Sequence, residues 1–146
     1  MKKILVLCCS LLLLIAGCNK PDDEKAVNGV WQEKEIIGKF AGTSHWIRLN
    51  PDKTFELKLY RFTDMMDTAQ TSCPNTRTDY IKGAYEINGT HIAFGGRYCN
   101  ESFSLLQPNC RGETIYQSNY SINFVGNDMV FDFEKDDYRK VWLVKQ

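Results

Sequence analysis

The sequence has little of the material from which catalytic and metal sites are built. It contains two histidines, and no motif ties either one to a nucleophile. No two cysteines have the Cys-x-x-Cys spacing of a zinc site, and no glycine-rich loop leads from a strand into a helix to hold a phosphate. We therefore predict that the protein is not an enzyme and that it uses no metal or nucleotide cofactor.

Three further absences narrow the class of protein. No stretch repeats apolar residues at helical spacing over three turns, which favours an all-β fold. The 18 basic residues equal the 18 acidic ones and form no patch, so we expect no nucleic-acid partner. Beyond the N-terminal segment, no apolar run approaches the about 20 residues that cross a bilayer, so no transmembrane helix is predicted.

The N-terminal segment is typical of a secretory signal peptide. Lys2 and Lys3 precede an apolar run over residues 4–15, and the small pair Ala16-Gly17 follows. The ending Ile15-Ala16-Gly17-Cys18 resembles a bacterial lipobox. This resemblance implies cleavage before Cys18 and acylation of its thiol, the only covalent group that we expect.

The lipobox sets the predicted domain organisation and location. Residues 1–17 are the cleaved signal, residues 18–27 are the lipidated cysteine and a flexible tether, and residues 28–146 are the folded domain. Several acyl chains anchor a protein stably, so we predict a membrane-bound protein of the bacterial envelope, at the outer membrane. The acidic run Asp22-Asp23-Glu24 is similar to an export signal for the outer cell surface, and it equally fits a plain solvated tether.

Three cysteines remain in the folded domain. An exported protein meets an oxidising environment, so Cys73, Cys99 and Cys110 are candidates for one disulfide, with one thiol left over. The spacing does not reveal which two pair. A zinc site that adds His45 and His91 is a weaker alternative, because no two ligands have helical or Cys-x-x-Cys spacing.

Alternation of apolar and polar residues predicts a series of strands. Phe55, Leu57 and Leu59 alternate with polar residues, and Asn88-Gly89 is a strong signal for a two-residue hairpin turn. The predicted strands are Val30–Ile37, Ser44–Leu49, Thr54–Phe62, Asp79–Ile87, Thr90–Tyr98, Glu113–Val125, Met129–Glu134 and Tyr138–Val144. We predict an up-and-down meander of about eight to ten antiparallel strands that closes into a barrel, since closure removes exposed edges.

In such a barrel the short and long connections separate to opposite ends. The tight turns at 50–53, 88–89 and 126–128 share one end with the tether, and the long connections 38–43, 63–78 and 99–112 share the other. This arrangement requires residues 99–112 to form a loop, and a separate barrel strand over 103–106 would shift the count by one. The predicted arrangement places the three cysteines on the far rim, where a disulfide would tie two loops or close the 99–110 segment. The candidate rim or binding residues are Met65, Met66, Pro74 and Tyr98.

Several short motifs in order resemble small lipocalin-like lipoproteins of Gram-negative bacteria. They are Gly29-Val30-Trp31, the Leu49–Phe55 turn into a strand, Gly83–Gly89 and Asp128-Met129-Val130-Phe131. The resemblance covers most of the mature chain and implies a lipid-anchored, lipocalin-like barrel.

Two functional interpretations follow for such a domain. The first is a binding module for a small apolar ligand, a glycan or an envelope protein. The alternative is an inhibitor or protective factor that inserts the Cys73-Pro74-Asn75 loop into a foreign hydrolase. The aromatic residues, which are Trp31, Trp46, Trp142 and many tyrosines and phenylalanines, either fill a barrel interior or line a ligand cavity, and filling is the favoured interpretation. Gly95-Gly96 within a strand indicates a bulge or a close backbone approach.

Overall fold

The protein forms one closed antiparallel barrel. The computed structural model describes residues 26–34, 41–63, 73–132 and 140–146, and these residues contain eight strands. In chain order they are β1 (Gly29–Glu33), β2 (Ala41–Leu49), β3 (Thr54–Thr63), β4 (Thr76–Asn88), β5 (His91–Cys99), β6 (Ile115–Val125), β7 (Asp128–Asp132) and β8 (Lys140–Lys145). Each strand pairs with the next, and β1 pairs with β8. The predicted all-β barrel is confirmed.

The predicted alternation of apolar and polar residues on β3 determines which of its side chains face the barrel interior and which face outward. Phe55, Leu57 and Leu59 are buried in the interior, at 1–3% exposure. The preceding turn is held by Asp52, whose carboxylate accepts hydrogen bonds from the Thr54 hydroxyl at 2.6 Å and the Thr54 N–H at 3.0 Å. These two bonds lower the pKa of Asp52 below its ordinary value. Lys53 completes the turn with a positive φ of 66°.

Short and long connections lie at opposite ends of the barrel, as predicted. Gly89 and Gly126 adopt φ values of 60° and 64° in the turns β4–β5 and β6–β7, where a left-handed backbone is required. Gly29 of β1 pairs with Leu49 of β2, so β1 begins at this tight-turn end. The segment between Cys99 and Ile115 contains no barrel strand and forms an excursion at the opposite, loop-rich end.

The core is the barrel interior. Trp31 is 2% exposed, and its indole N–H donates to the Val27 carbonyl at 2.6 Å. Val27 lies in the segment predicted as tether, yet it is buried, so packing begins two residues before β1. Trp46 and Trp142 are partly exposed on the outer face, where Lys58 Nζ lies 4.7 Å from the Trp46 ring centre. Only one of the three tryptophans therefore belongs to the interior.

Candidate functional site

The barrel interior changes from apolar to polar toward the loop-rich end. Three polar side chains are buried there, on the inward face of the strands: Glu33, His45 and Asp79. Glu33 ends β1, and Asp79 lies near the start of β4, where it pairs with Leu59 of β3. Because buried polar groups are costly unless they have partners, the contacts of these three residues define the first part of the site.

Glu33 and His45 form a buried pair. The His45 ring nitrogen Nδ1 lies 2.7 Å from Glu33 Oε2, and the His45 backbone N–H donates to the same oxygen at 3.0 Å. Their side chains are 2% and 7% exposed, respectively. A carboxylate only accepts hydrogen bonds, so the ring donates through Nδ1 and its orientation is fixed. The hydrogen bonds of this pair link the end of β1 to β2.

Asp79 is held between two arginines. Arg61 Nε donates to Asp79 Oδ2 at 2.7 Å, and Arg77 Nε lies 3.6 Å from Oδ1. The latter distance is too long for a hydrogen bond, and in the described part of the chain Arg77 Nε is buried without a hydrogen-bond partner. The cluster joins the loop-rich ends of β3 and β4 and carries more positive than negative charge.

Three tyrosines fill the space between the apolar core and the buried polar side chains of Glu33, His45 and Asp79, which we call the polar layer. The Tyr98 and Tyr116 rings pack edge to face at 6.3 Å, and the Tyr116 and Tyr120 hydroxyls lie 3.1 Å apart. Burial is the main cause that raises the pKa of Tyr98 and, strongly, that of Tyr116. Tyr98, predicted as a rim or binding residue, is 5% exposed and points into the barrel.

The interior leaves almost no free volume among these side chains. A gap of about 10 Å³ remains between His45, Ile47, Leu57, Phe94, Tyr116, Tyr120 and Phe131. This is room for about one water molecule, whereas binding sites for small ligands measure about 300–1,000 Å³. The prediction that aromatic residues fill the barrel is therefore confirmed for this part of the interior.

A disulfide joins two connections at the loop-rich rim. Cys73 and Cys110 are bonded, which ties the β3–β4 connection to the excursion between β5 and β6. Cys99 is the remaining thiol; it is buried, and burial raises its pKa. Pro74 is exposed beside the bond. The candidates Met65 and Met66 lie outside the described residues, as does Cys18.

The excursion is built by its own side chains. The Asn100 side-chain carbonyl accepts the N–H groups of Ser104 and Leu105, and that of Asn109 accepts those of Arg111 and Glu113. Such local side-chain hydrogen bonds take the place of the backbone bonds that pair β-strands, and they fix the backbone of the excursion. Asparagines placed just before turns are the sequence signal from which this local structure could have been predicted.

The excursion is also fastened to the outer wall of the barrel. Lys82 Nζ donates to the Phe103 carbonyl at 2.6 Å, and the Phe103 ring packs edge to face on Tyr80 at 5.8 Å. This arrangement leaves Leu105 67% exposed and Leu106 48% exposed, and Ile115 at the start of β6 is 66% exposed. We call Leu105, Leu106 and Ile115 the aliphatic patch.

A groove of about 540 Å³ lies on the outer wall beside the aliphatic patch. We call it the wall groove; its lining residues are Asn50, Thr54, Phe55, Glu56, Lys82, Gly83, Gly95, Gly96, Arg97 and Leu106. A Cβ atom on Gly83 would lie 2.1 Å from the Gly95 carbonyl oxygen, so the strands approach too closely there for any side chain. The predicted close backbone approach at Gly95-Gly96 is confirmed, and its partner Gly83 was missed.

The described residues offer binding chemistry. Among them, no group of three or more His, Cys, Asp or Glu side chains converges as a metal site would require. The part of the chain that the structure describes also contains no helix of the length and apolarity needed to cross a bilayer. The described residues place the wall groove, the aliphatic patch and charged side chains on the same outer surface.

Comparison with known proteins adds no relative. No protein family, no curated protein and no solved structure matches this chain. The class of protein is therefore defined by its own fold, a closed eight-stranded antiparallel meander with a disulfide-tied rim. Its function must be inferred from the surface that this fold presents.

Proposed function

We propose that the protein is a lipid-anchored binding module of the bacterial envelope that engages an envelope protein through the aliphatic patch. One observation carries the proposal: Leu105 and Leu106 of the aliphatic patch are exposed on a segment whose backbone is fixed by hydrogen bonds and a disulfide. Exposed aliphatic side chains on a rigid support are typical of protein-binding surfaces, because little ordering entropy is lost on binding.

The barrel geometry supports an outward-facing patch. With Cys18 as the lipid attachment, the tether would enter at the tight-turn end, where β1 begins. The excursion would then lie at the end that faces away from the membrane. Residues 18–26 reach at most about 30 Å when extended, so the barrel would stay close to the membrane surface.

Photo-crosslinking in living cells tests this function. A photoreactive phenylalanine analogue at Leu105 should give one defined protein adduct, because the side chain is exposed within the patch. The same analogue at Val125, which is 47% exposed at the tight-turn end, is the matched control. No defined adduct from Leu105, or the same adduct from both positions, would refute the proposal.

Native mass spectrometry separates this function from carriage of a small apolar ligand. The full-length protein, released from detergent in the spectrometer, should show only the mass of the lipidated chain. A reproducible additional mass that leaves on denaturation would require a cavity larger than the gap of about 10 Å³ between His45, Tyr116, Tyr120 and their neighbours. Such a result would restore the small-ligand interpretation.

The rim loop supports inhibition of a hydrolase as a second candidate. Pro74 and Asn75 are exposed between the disulfide-bonded Cys73 and the start of β4 at Thr76, so both ends of this short stretch are held at the rim. Rigid exposed loops bind clefts with little loss of conformational entropy. A panel of proteases and lysozymes, assayed with the protein and with Pro74→Ala, tests this candidate; no inhibition of any member would remove it.

A further inference from the structure

We propose that the wall groove binds an extended acidic peptide segment of the partner protein, and that Arg97 receives its carboxylate. This inference rests on the proposed function and specifies the chemistry of the partner. The groove, the aliphatic patch and Arg97 are contiguous: Leu106 lines the groove, and Arg97 pairs directly with Ile115 across β5 and β6.

The floor of the groove is backbone of β4 and β5 at three glycines, of which Gly95 holds the outward-facing position and Gly83 and Gly96 hold inward-facing ones. Gly83 and Gly96 face each other across β4 and β5, and a Cβ on either would come within 2.7 Å of the opposite backbone. Gly95 faces outward, and a Cβ there would meet nothing within 4 Å. A ligand backbone can therefore approach the sheet closely at this point, which glycine in a strand commonly permits.

Arg97 is the uncommitted cation of the groove. Lys82 donates its ammonium group to the Phe103 carbonyl, and Glu56 accepts from Arg48 at 2.8 Å. Arg97 is exposed and makes no side-chain hydrogen bond or ion pair with any described residue. An arginine bordered by aliphatic side chains is a common centre of protein interfaces, where it binds a carboxylate with two parallel hydrogen bonds.

The balance of charge and apolar surface selects the class of ligand. A nucleic acid or other polyanion needs several cations, and the lining of the groove offers two, Lys82 and Arg97, beside the carboxylate of Glu56. A sugar commonly stacks on an exposed aromatic ring, but the ring in this lining, Phe55, is 1% exposed. A peptide with one carboxylate between aliphatic side chains matches Arg97 and the aliphatic patch together. The volume of about 540 Å³ is also within the range of peptide-sized sites.

A peptide titration tests the proposal. The probes are acetyl-Leu-Glu-Leu-amide and its neutral counterpart acetyl-Leu-Gln-Leu-amide, added to the full-length protein in detergent and followed by NMR. The acidic peptide should shift the amide signals of Gly83, Gly95 and Gly96. We expect its dissociation constant to be at least about fivefold lower than that of the neutral peptide, because the carboxylate pairs with Arg97.

Two arginine variants make the test specific. Arg97→Gln should remove the preference for the acidic peptide. Arg111→Gln is the matched control, because Arg111 is exposed on the excursion and its substitution changes the net charge equally. Equal loss in both variants would show general attraction between charges and would overturn the proposal.

The remaining outcomes are equally decisive. Equal binding of the two peptides would remove the role of the carboxylate. Glucuronate binding in the groove as tightly as the acidic peptide would assign it to an acidic sugar instead. Failure of the peptides together with a defined adduct from Leu105 would reject this inference and leave the proposed function standing; failure of both experiments would reject both.

Discussion

Replacing Gly83 with alanine is the sharpest test of the barrel geometry. The new methyl carbon would lie 2.1 Å from the Gly95 carbonyl oxygen, 2.5 Å from Gly96 Cα and 2.9 Å from the Gly95 carbonyl carbon. All three are backbone atoms, so no rotation of a side chain relieves the clash. An ordinary contact begins at 3.4 Å, so the oxygen would have to retreat by about 1.3 Å.

This displacement sets the expected loss of stability. A retreat of that size breaks the local β4–β5 hydrogen bonds, each contributing about 0.5–1.5 kcal/mol, and overpacking itself costs about 1–3 kcal/mol. We expect Gly83→Ala to lower the free energy of unfolding by about 3–5 kcal/mol. That is a large fraction of the about 5–15 kcal/mol that holds a typical domain together.

Gly95→Ala is the matched control for this substitution. It makes the same chemical change on the neighbouring strand, but its methyl group meets nothing within 4 Å. We expect no loss and a gain of up to about 1 kcal/mol, because alanine restricts the unfolded chain. Urea unfolding followed by tryptophan fluorescence measures both variants. A cost below about 1 kcal/mol for Gly83→Ala, or equal costs for the pair, would refute the close approach.

Three further predictions concern the polar layer and the rim. Glu33→Ala should lower the free energy of unfolding in urea by about 3–5 kcal/mol, because it leaves the buried His45 ring and N–H without their acceptor. An unchanged unfolding midpoint would contradict the buried Glu33–His45 pair. Cys110→Ser should lower the free energy of unfolding by about 4 kcal/mol, which is the chain-entropy value for a sequence separation of 37. Reduction of the disulfide in the wild type should lower it by the same amount, as measured by calorimetry. Because the folded-state pKa of Tyr116 is raised above its ordinary value of 10.0, its contribution to stability is complete below pH 10. That contribution is lost as the pH rises above 10, where the unfolded chain ionises first. Between about pH 9 and pH 11, the free energy of unfolding in urea should therefore decrease less for Tyr116→Phe than for the wild type. Equal decreases would show that Tyr116 ionises normally in the folded protein.

The strand pattern was predictable from the sequence because it depends on neighbouring residues. The strand predicted over Thr54–Phe62 is observed over Thr54–Thr63, and the hairpin turn falls at Gly89 as expected. Alternation decides which face is buried, and glycine decides where a left-handed turn can form. Closure also followed, since a meander with no exposed edge is the stable arrangement of such strands.

The site itself depends on contacts between distant segments, which local patterns do not encode. The pairing of Cys73 with Cys110 is set by where two long connections meet at the rim. Glu33 follows Trp31 by two residues on β1, so the sequence indicates that its side chain points inward. The sequence does not indicate that His45 is its partner. The approach of Gly83 to Gly95 likewise appears only when the register of β4 and β5 is known.

The position of β1 has a mechanical consequence for an anchored protein. Backbone bonds hold β1 to β2 on one side and to β8 on the other, including Lys34 N–H to the Trp142 carbonyl and Gln146 N–H to the Val30 carbonyl. If Cys18 carries the lipid, a partner that pulls on the rim draws β1 lengthwise between its two neighbours. Force is then shared by all of these bonds at once, so the barrel resists tension in shear and does not open one bond at a time.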